Sequence, residues 1–133
     1  MTPIYERLLK NKGIDPTFAK ALVQQSGLES NWGKSQSGKY NFGGIKGKGT
    51  VRKTREVIDG KSQYINDSFR DFNSLEDYAN FHIDLLNNNR YKAFSGNIYD
   101  FADKVARGGY ATDPNYSHVL NKLIQSAKNG IKI

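Results

Sequence analysis

Cysteine is absent from the sequence, which excludes a disulfide framework, thiolate chemistry and any cysteine-ligated metal. A cysteine-free chain tolerates oxidising and reducing surroundings alike, so the compartment stays open. Histidine is scarce: His82 and His118 lack the spacing of a zinc site, so no metal is implied, and no motif asks for a cofactor. No apolar run approaches the roughly 20 residues of a membrane-spanning helix, which argues against insertion into a bilayer. Residues Met1 to Arg7 lack the basic region and apolar core of a secretory signal. Internal repeats, low-complexity tracts and linkers are missing too, so residues 1–133 are expected to form one domain, without a second binding module and monomeric.

What the chain does have is positive charge. A net +7 and a pI near 9.6 favour a polyanionic partner, and nucleic acid, an anionic membrane surface and the acidic bacterial wall all fit. Lys46, Lys48, Arg52, Lys53, Arg55 and Lys61 cluster near aromatics, as in a module that tracks an acidic polymer, but no nucleic-acid motif accompanies them. With 133 residues the chain is long enough to bury roughly two-thirds of its unfolded surface in one core.

Thr2-Pro3 reads as an N-cap followed by proline at the first helical position, with Ile4, Leu8 and Leu9 as a short apolar stripe before Gly13. Asp15-Pro16 repeats the device. It opens a second helix, whose apolar positions Phe18, Ala19, Leu22, Val23 and Ser26 predict one buried face. Glu29 falls one turn beyond, near the buried side of the helix end, where Asn31 and Gly33 turn the chain away. Partial desolvation there favours the neutral carboxyl and suits a general acid. A solvated last-turn acid, poorly placed for the helix dipole, is the alternative from spacing alone.

From Lys34 to Gly49 the chain is rich in glycine, with Tyr40 and Phe42 among them, and lacks the order of a phosphate-binding loop. Residues 50–58 and 62–69 flank Asp59-Gly60, a hairpin signal. On the first strand Arg52, Thr54 and Glu56 share a face, so Glu56 is a second acid able to meet Glu29 across a groove, or else a surface partner of nearby Arg and Lys. Ser74 with Asp77 predicts a capped helix presenting Leu75, Tyr78, Ala79, His82, Leu85 and Leu86 inward, with His82 as a packing histidine. Asn97 with Asp100 opens another, with Ile98, Phe101, Ala102 and Val105 inward. Asp113-Pro114 caps a last one, with Val119, Leu120, Leu123, Ile124 and Ala127 on its face and Gly130 after it. The expected fold class is mainly α, with one small β lobe.

Four runs carry a resemblance: Leu28-Glu29-Ser30-Asn31-Trp32-Gly33-Lys34-Ser35, Tyr40-Asn41-Phe42-Gly43-Gly44-Ile45-Lys46-Gly47, Asp67-Ser68-Phe69-Arg70 and Gly109-Tyr110-Ala111-Thr112-Asp113-Pro114-Asn115-Tyr116. Their order is that of glycoside hydrolase family 73, which the chain resembles from about Phe18 to Ile124. The resemblance implies a lysozyme-like fold with a groove between a helical lobe and a hairpin. It implies an endo-β-N-acetylglucosaminidase that cuts the glycan strands of bacterial peptidoglycan, with no nucleic-acid partner. Glu29 then matches the catalytic glutamate, and Thr54-x-Glu56 matches a second one, although Val57 stands where an aromatic is common. Tyr110 is expected beside the acids, and Trp32, Asn41, Phe42 and Tyr116 against substrate. A lytic transglycosylase using Glu29 alone, or a non-catalytic module that binds the cell wall or nucleic acid, are the alternatives. An enzyme of this kind acts on the cell wall, delivered by a phage, injected, or trimmed from a secreted precursor.

Overall fold

The computed structural model describes residues 1–127, so the expected stop at Gly130 lies outside the described residues. Helix α1 (Thr2–Asn11) buries Tyr5, Leu8 and Leu9, spaced to share one face, and leaves Ile4 only partly covered. Thr2 is not its cap. Met1 holds that position, and its thioether offers no oxygen to cap the first turn. Asp15 accepts the Thr17 N–H at 3.0 Å and starts a 3₁₀ turn (Pro16–Phe18) that runs into helix α2 (Ala19–Ser30).

Helix α2 is the centre of the molecule. Every residue from 21 to 27 is buried, so the expected single buried face is replaced by burial all round. Gln25 and Ser26 tolerate this by bonding to neighbouring helices, whereas the Gln24 amide oxygen is buried without a partner among the described residues. The helix ends as expected: Asn31 at φ 50, Trp32 at φ 58 and Gly33 at φ 86 turn the chain back. The Trp32 ring then lies on Gly27, so close that a Cβ there would sit 2.3 Å from it.

Strands β1 (Gly49–Ile58) and β2 (Lys61–Arg70) form one antiparallel hairpin with Ile58 opposite Lys61. Asp59 and Gly60 take positive φ, as the two-residue turn requires. Its base is stitched to the glycine-rich loop by Arg70 N–H to Ile45 C=O at 2.9 Å and Gly47 N–H to Ser68 C=O at 3.0 Å. Farther out, Tyr64 and Ile58 stand exposed, so the hairpin projects from the core.

Helix α3 (Leu75–Leu86) opens with Ser74 accepting the Asp77 N–H, and buries Tyr78, Ala79, His82, Ile83 and Leu86. Leu85 is turned to the groove side, so Ile83 takes the core place expected for it. Asn97 and Asp100 form a reciprocal cap over a 3₁₀ turn (Ile98–Asp100) that leads into α4 (Phe101–Arg107). Asn115, without a side-chain bond, precedes α5 (Tyr116–Ser126). Asp113 therefore caps the preceding turn, accepting from Asn115 N–H at 2.8 Å, and not the helix itself. Tyr116, Leu120 and Ile124 face the core while Val119 is exposed beside the groove.

Candidate active site

A groove of about 890 Å³ runs between the helices and the hairpin, and Glu29 lies in its wall. Gly44, at φ +62, crosses so near that a Cβ would stand 3.0 Å from Glu29 Oε1. The loop needs glycine there for both conformation and space. Burial raises the Glu29 pKa from 4.5 to about 7; a hydrogen bond from Tyr116 offsets part of the rise, and the charge of Glu56 adds to it. At neutral pH a large fraction of the carboxyl thus carries its proton.

Behind Glu29 runs a buried chain of hydrogen bonds whose direction follows from donor chemistry. His82 is fully buried and its pKa is pushed down to about 3, so the ring is neutral with one N–H. With the Gln25 amide oxygen 2.7 Å from Nε2, that proton sits on Nε2. Nδ1 then accepts from the Tyr5 hydroxyl at 2.7 Å; Tyr5 accepts from Ser26 at 3.0 Å, and Ser26 from Tyr78 at 2.6 Å. On the other side Gln25 Nε2 donates to the Tyr116 hydroxyl at 3.1 Å, which leaves the Tyr116 proton for Glu29. All the donors point the same way, towards the acid.

Glu56 reaches the groove from β1 with its side chain 17% exposed. Its Oε2 accepts from the Thr112 hydroxyl at 2.7 Å, and Oε1 lies 3.5 Å from Lys46 Nζ. Lys46 is paired more closely with Asp67, at 2.7 Å, which holds its ammonium pKa up and the Asp67 carboxyl pKa down.

Both tyrosines line the groove beside Glu29, as expected. Tyr116 acts on the Glu29 carboxyl as a hydrogen-bonding neighbour that favours its ionised form, and Tyr110 donates to Gly43 C=O at 2.5 Å and stacks on Tyr116 with centroids 6.3 Å apart. Tyr110 lines the groove and braces the strap that carries Gly44.

Three residues expected against substrate are elsewhere. Asn41 is fully buried: its amide donates to Ile45 C=O and Arg70 C=O and accepts from Gly43 and Ile45 N–H, so no donor remains for a sugar. Phe42 packs edge-on to Tyr78 at 5.7 Å, against the core. Trp32 covers Gly27 on α2, away from the groove-lining residues. Conversely, Phe81, Tyr91, Arg90 and Thr112 line the groove and were not singled out by the sequence reading. Thr112 stood inside a quoted motif, and that was its one signal; Phe81 lies on α3, where periodicity speaks of packing alone, and Arg90 and Tyr91 lie in the turns after it, where no local pattern marks a site. Among the described residues no group of three His, Cys, Asp or Glu could hold a metal ion.

Helices on one side of the groove, a lone hairpin on the other and an acid from each give the fold its class, that of the lysozyme-like glycoside hydrolases. Within that class the chain belongs to glycoside hydrolase family 73, the glucosaminidase family, whose model, described as mannosyl-glycoprotein endo-beta-N-acetylglucosaminidase, matches residues 2–129. It is 33% identical to a probable N-acetylmuramidase of Lactococcus lactis over 123 residues, covering 80% of this chain and 28% of that one. With the peptidoglycan hydrolase FlgJ of Pseudomonas aeruginosa it shares 34% identity, covering 92% of this chain and 34% of the relative. The chain thus spans about a third of the length of these curated relatives. The crystal structure of a peptidoglycan hydrolase mutant from Sphingomonas sp. A1 superposes with a TM-score of 0.79 at 31% identity, covering 97% of this chain and 90% of that one.

Proposed function

We propose that the chain hydrolyses the glycan strand of bacterial peptidoglycan as an endo-β-N-acetylglucosaminidase, with Glu29 as general acid and Glu56 as second carboxylate. The observation that supports this best is the Glu29 carboxyl, held at a pKa of about 7 in a groove that also takes Glu56. Glu29 gives its proton to the glycosidic oxygen as the bond to the anomeric carbon breaks. Glu56 takes a proton from the water that attacks the oxocarbenium-like sugar. In an inverting enzyme such carboxyls stand roughly 6.5–9.5 Å apart, leaving room for that water. Tyr116 orients the acid, and Tyr110 keeps the Gly43-Gly44 strap over it.

Arg52, Lys53 and Arg90 line the groove and suit a strand bearing peptide carboxylates, while Phe81 and Tyr91 offer faces for sugar rings. The enzyme acts on the wall as a monomer, and release by a phage as an endolysin is the delivery we favour. Mass spectrometry of digested peptidoglycan tests the reaction: hydrated products ending in N-acetylglucosamine are expected. Ends in N-acetylmuramic acid would make it a muramidase, as the name of the Lactococcus relative has it. Anhydro ends would make it a lytic transglycosylase, and no soluble product from a folded protein would leave a wall-binding module.

A further inference from the structure

Glu56 is gripped at both carboxylate oxygens by groups outside its own strand. Thr112, in the loop between α4 and α5, donates to Oε2 at 2.7 Å and also accepts the backbone N–H of Val57 at 2.9 Å. The direction of both bonds is forced. An amide N–H can only donate, so the threonine oxygen serves it as acceptor, and the one hydroxyl proton goes to the carboxylate. A single side chain of the helical lobe thereby holds both the acid and the backbone beside it.

Lys46 cannot do this alone. Its ammonium is 54% exposed, lies closer to Asp67 than to Glu56, and belongs to the loop that stitches the hairpin base. It draws Oε1 towards that base, whereas Thr112 draws Oε2 across the groove towards the helices. The hairpin has few other ties towards its tip, since Ile58 and Tyr64 stand exposed. The location of the Glu56 carboxylate relative to Glu29 therefore depends on whether the Thr112 hydroxyl is there.

We propose that Thr112 is a positioning residue for the second acid, closing the hairpin over the groove by binding Glu56 and Val57 together. The proposal rests on the reading of Glu56 as the group that activates water. Loss of the hydroxyl removes both bonds at once and leaves Glu56 with only the 3.5 Å contact to Lys46. Misplacement of a reacting group by about 1 Å costs on the order of a hundredfold in rate.

Steady-state kinetics on soluble muropeptide chains test this with Thr112→Val and Thr112→Ser, each also combined with Glu56→Gln. Thr112→Val is expected to lose roughly ten- to a hundredfold in kcat with little change in KM. Thr112→Ser, which keeps the hydroxyl, should recover most of that. In the Glu56→Gln background Thr112→Val should cost nothing further, because a residue that acts through Glu56 has nothing left to act on. Amide hydrogen exchange at Val57 should quicken in Thr112→Val and not in Thr112→Ser.

Wild-type kcat in a folded Thr112→Val protein overturns the proposal, and so does unchanged exchange at Val57. An equal loss with Glu56→Gln already present also overturns it, as does a rise in KM with kcat kept, which would make Thr112 a substrate contact. If Glu56→Gln alone is fully active, the reading of Glu56 fails first and takes the positioning role with it. That result appears in the single variant and is not confused with the others.

Discussion

At Glu29 one cause, burial, has two consequences that can be measured separately. The proton is held to a pKa of about 7 against 4.5 for a free side chain, so the folded protein binds it more tightly than the unfolded chain does. The stability this contributes is fully present below pH 4.5 and is lost as pH rises through 7, on the order of 3 kcal/mol in all. Glu29→Gln keeps the shape without the charge. It should therefore gain melting temperature relative to the wild type at pH 8 compared with pH 4, while wall hydrolysis falls by about 10²–10⁴-fold. An identical stability difference at both pH values would mean that the ionised carboxyl is well solvated, and turbidity clearance at the wild-type rate would remove Glu29 from the chemistry. Tyr116→Phe deletes the bond that favours the ionised acid. The alkaline limb of its pH–rate profile should move to higher pH, whereas a substrate contact would change KM and leave the limb in place.

The hairpin shows how differently an element and its surroundings are encoded. Its strands and turn were legible because a two-residue turn at Asp59-Gly60 and the alternation beside it are local properties. That Glu56 is tied to Thr112, 56 residues away in sequence, has no local signature. Placing a second negative charge near Glu29 raises its pKa, so Glu56→Gln should lower the Glu29 titration midpoint, the opposite sign to Tyr116→Phe. Carbon NMR of the Glu29 carboxyl reads this directly, and an unmoved midpoint would show that the two acids do not feel each other. The same variant should lose nearly as much hydrolysis as Glu29→Gln. Full activity on purified muropeptide chains would exclude Glu56 from the mechanism.

For the molecule as a whole, a charge of +7 on 133 residues should draw it to an anionic wall through fields screened within about 8 Å at physiological salt. Initial rates on intact walls should fall as salt rises, with the loss in substrate binding; equal rates at low and high salt in a folded enzyme would show that charge does not steer it. Caps, turns and helix faces follow from neighbours three or four residues apart, and so do the placing of Glu29 at a helix end and of Glu56 on a strand face. Those the sequence by itself determined. Exposure of an aromatic, or the partner of a hydroxyl, depends on which distant segment packs against it, and periodicity carries no term for that. So Asn41, Phe42 and Trp32, bearing side chains that suit a sugar, became loop staple, core edge and helix cover. Tyr5, outside the expected stripe, joined the chain of donors that ends at Glu29. Only the tertiary structure decided these, because burial is a property of the assembled helices and the hydrogen bonds of buried groups must be satisfied by whatever the fold brings near.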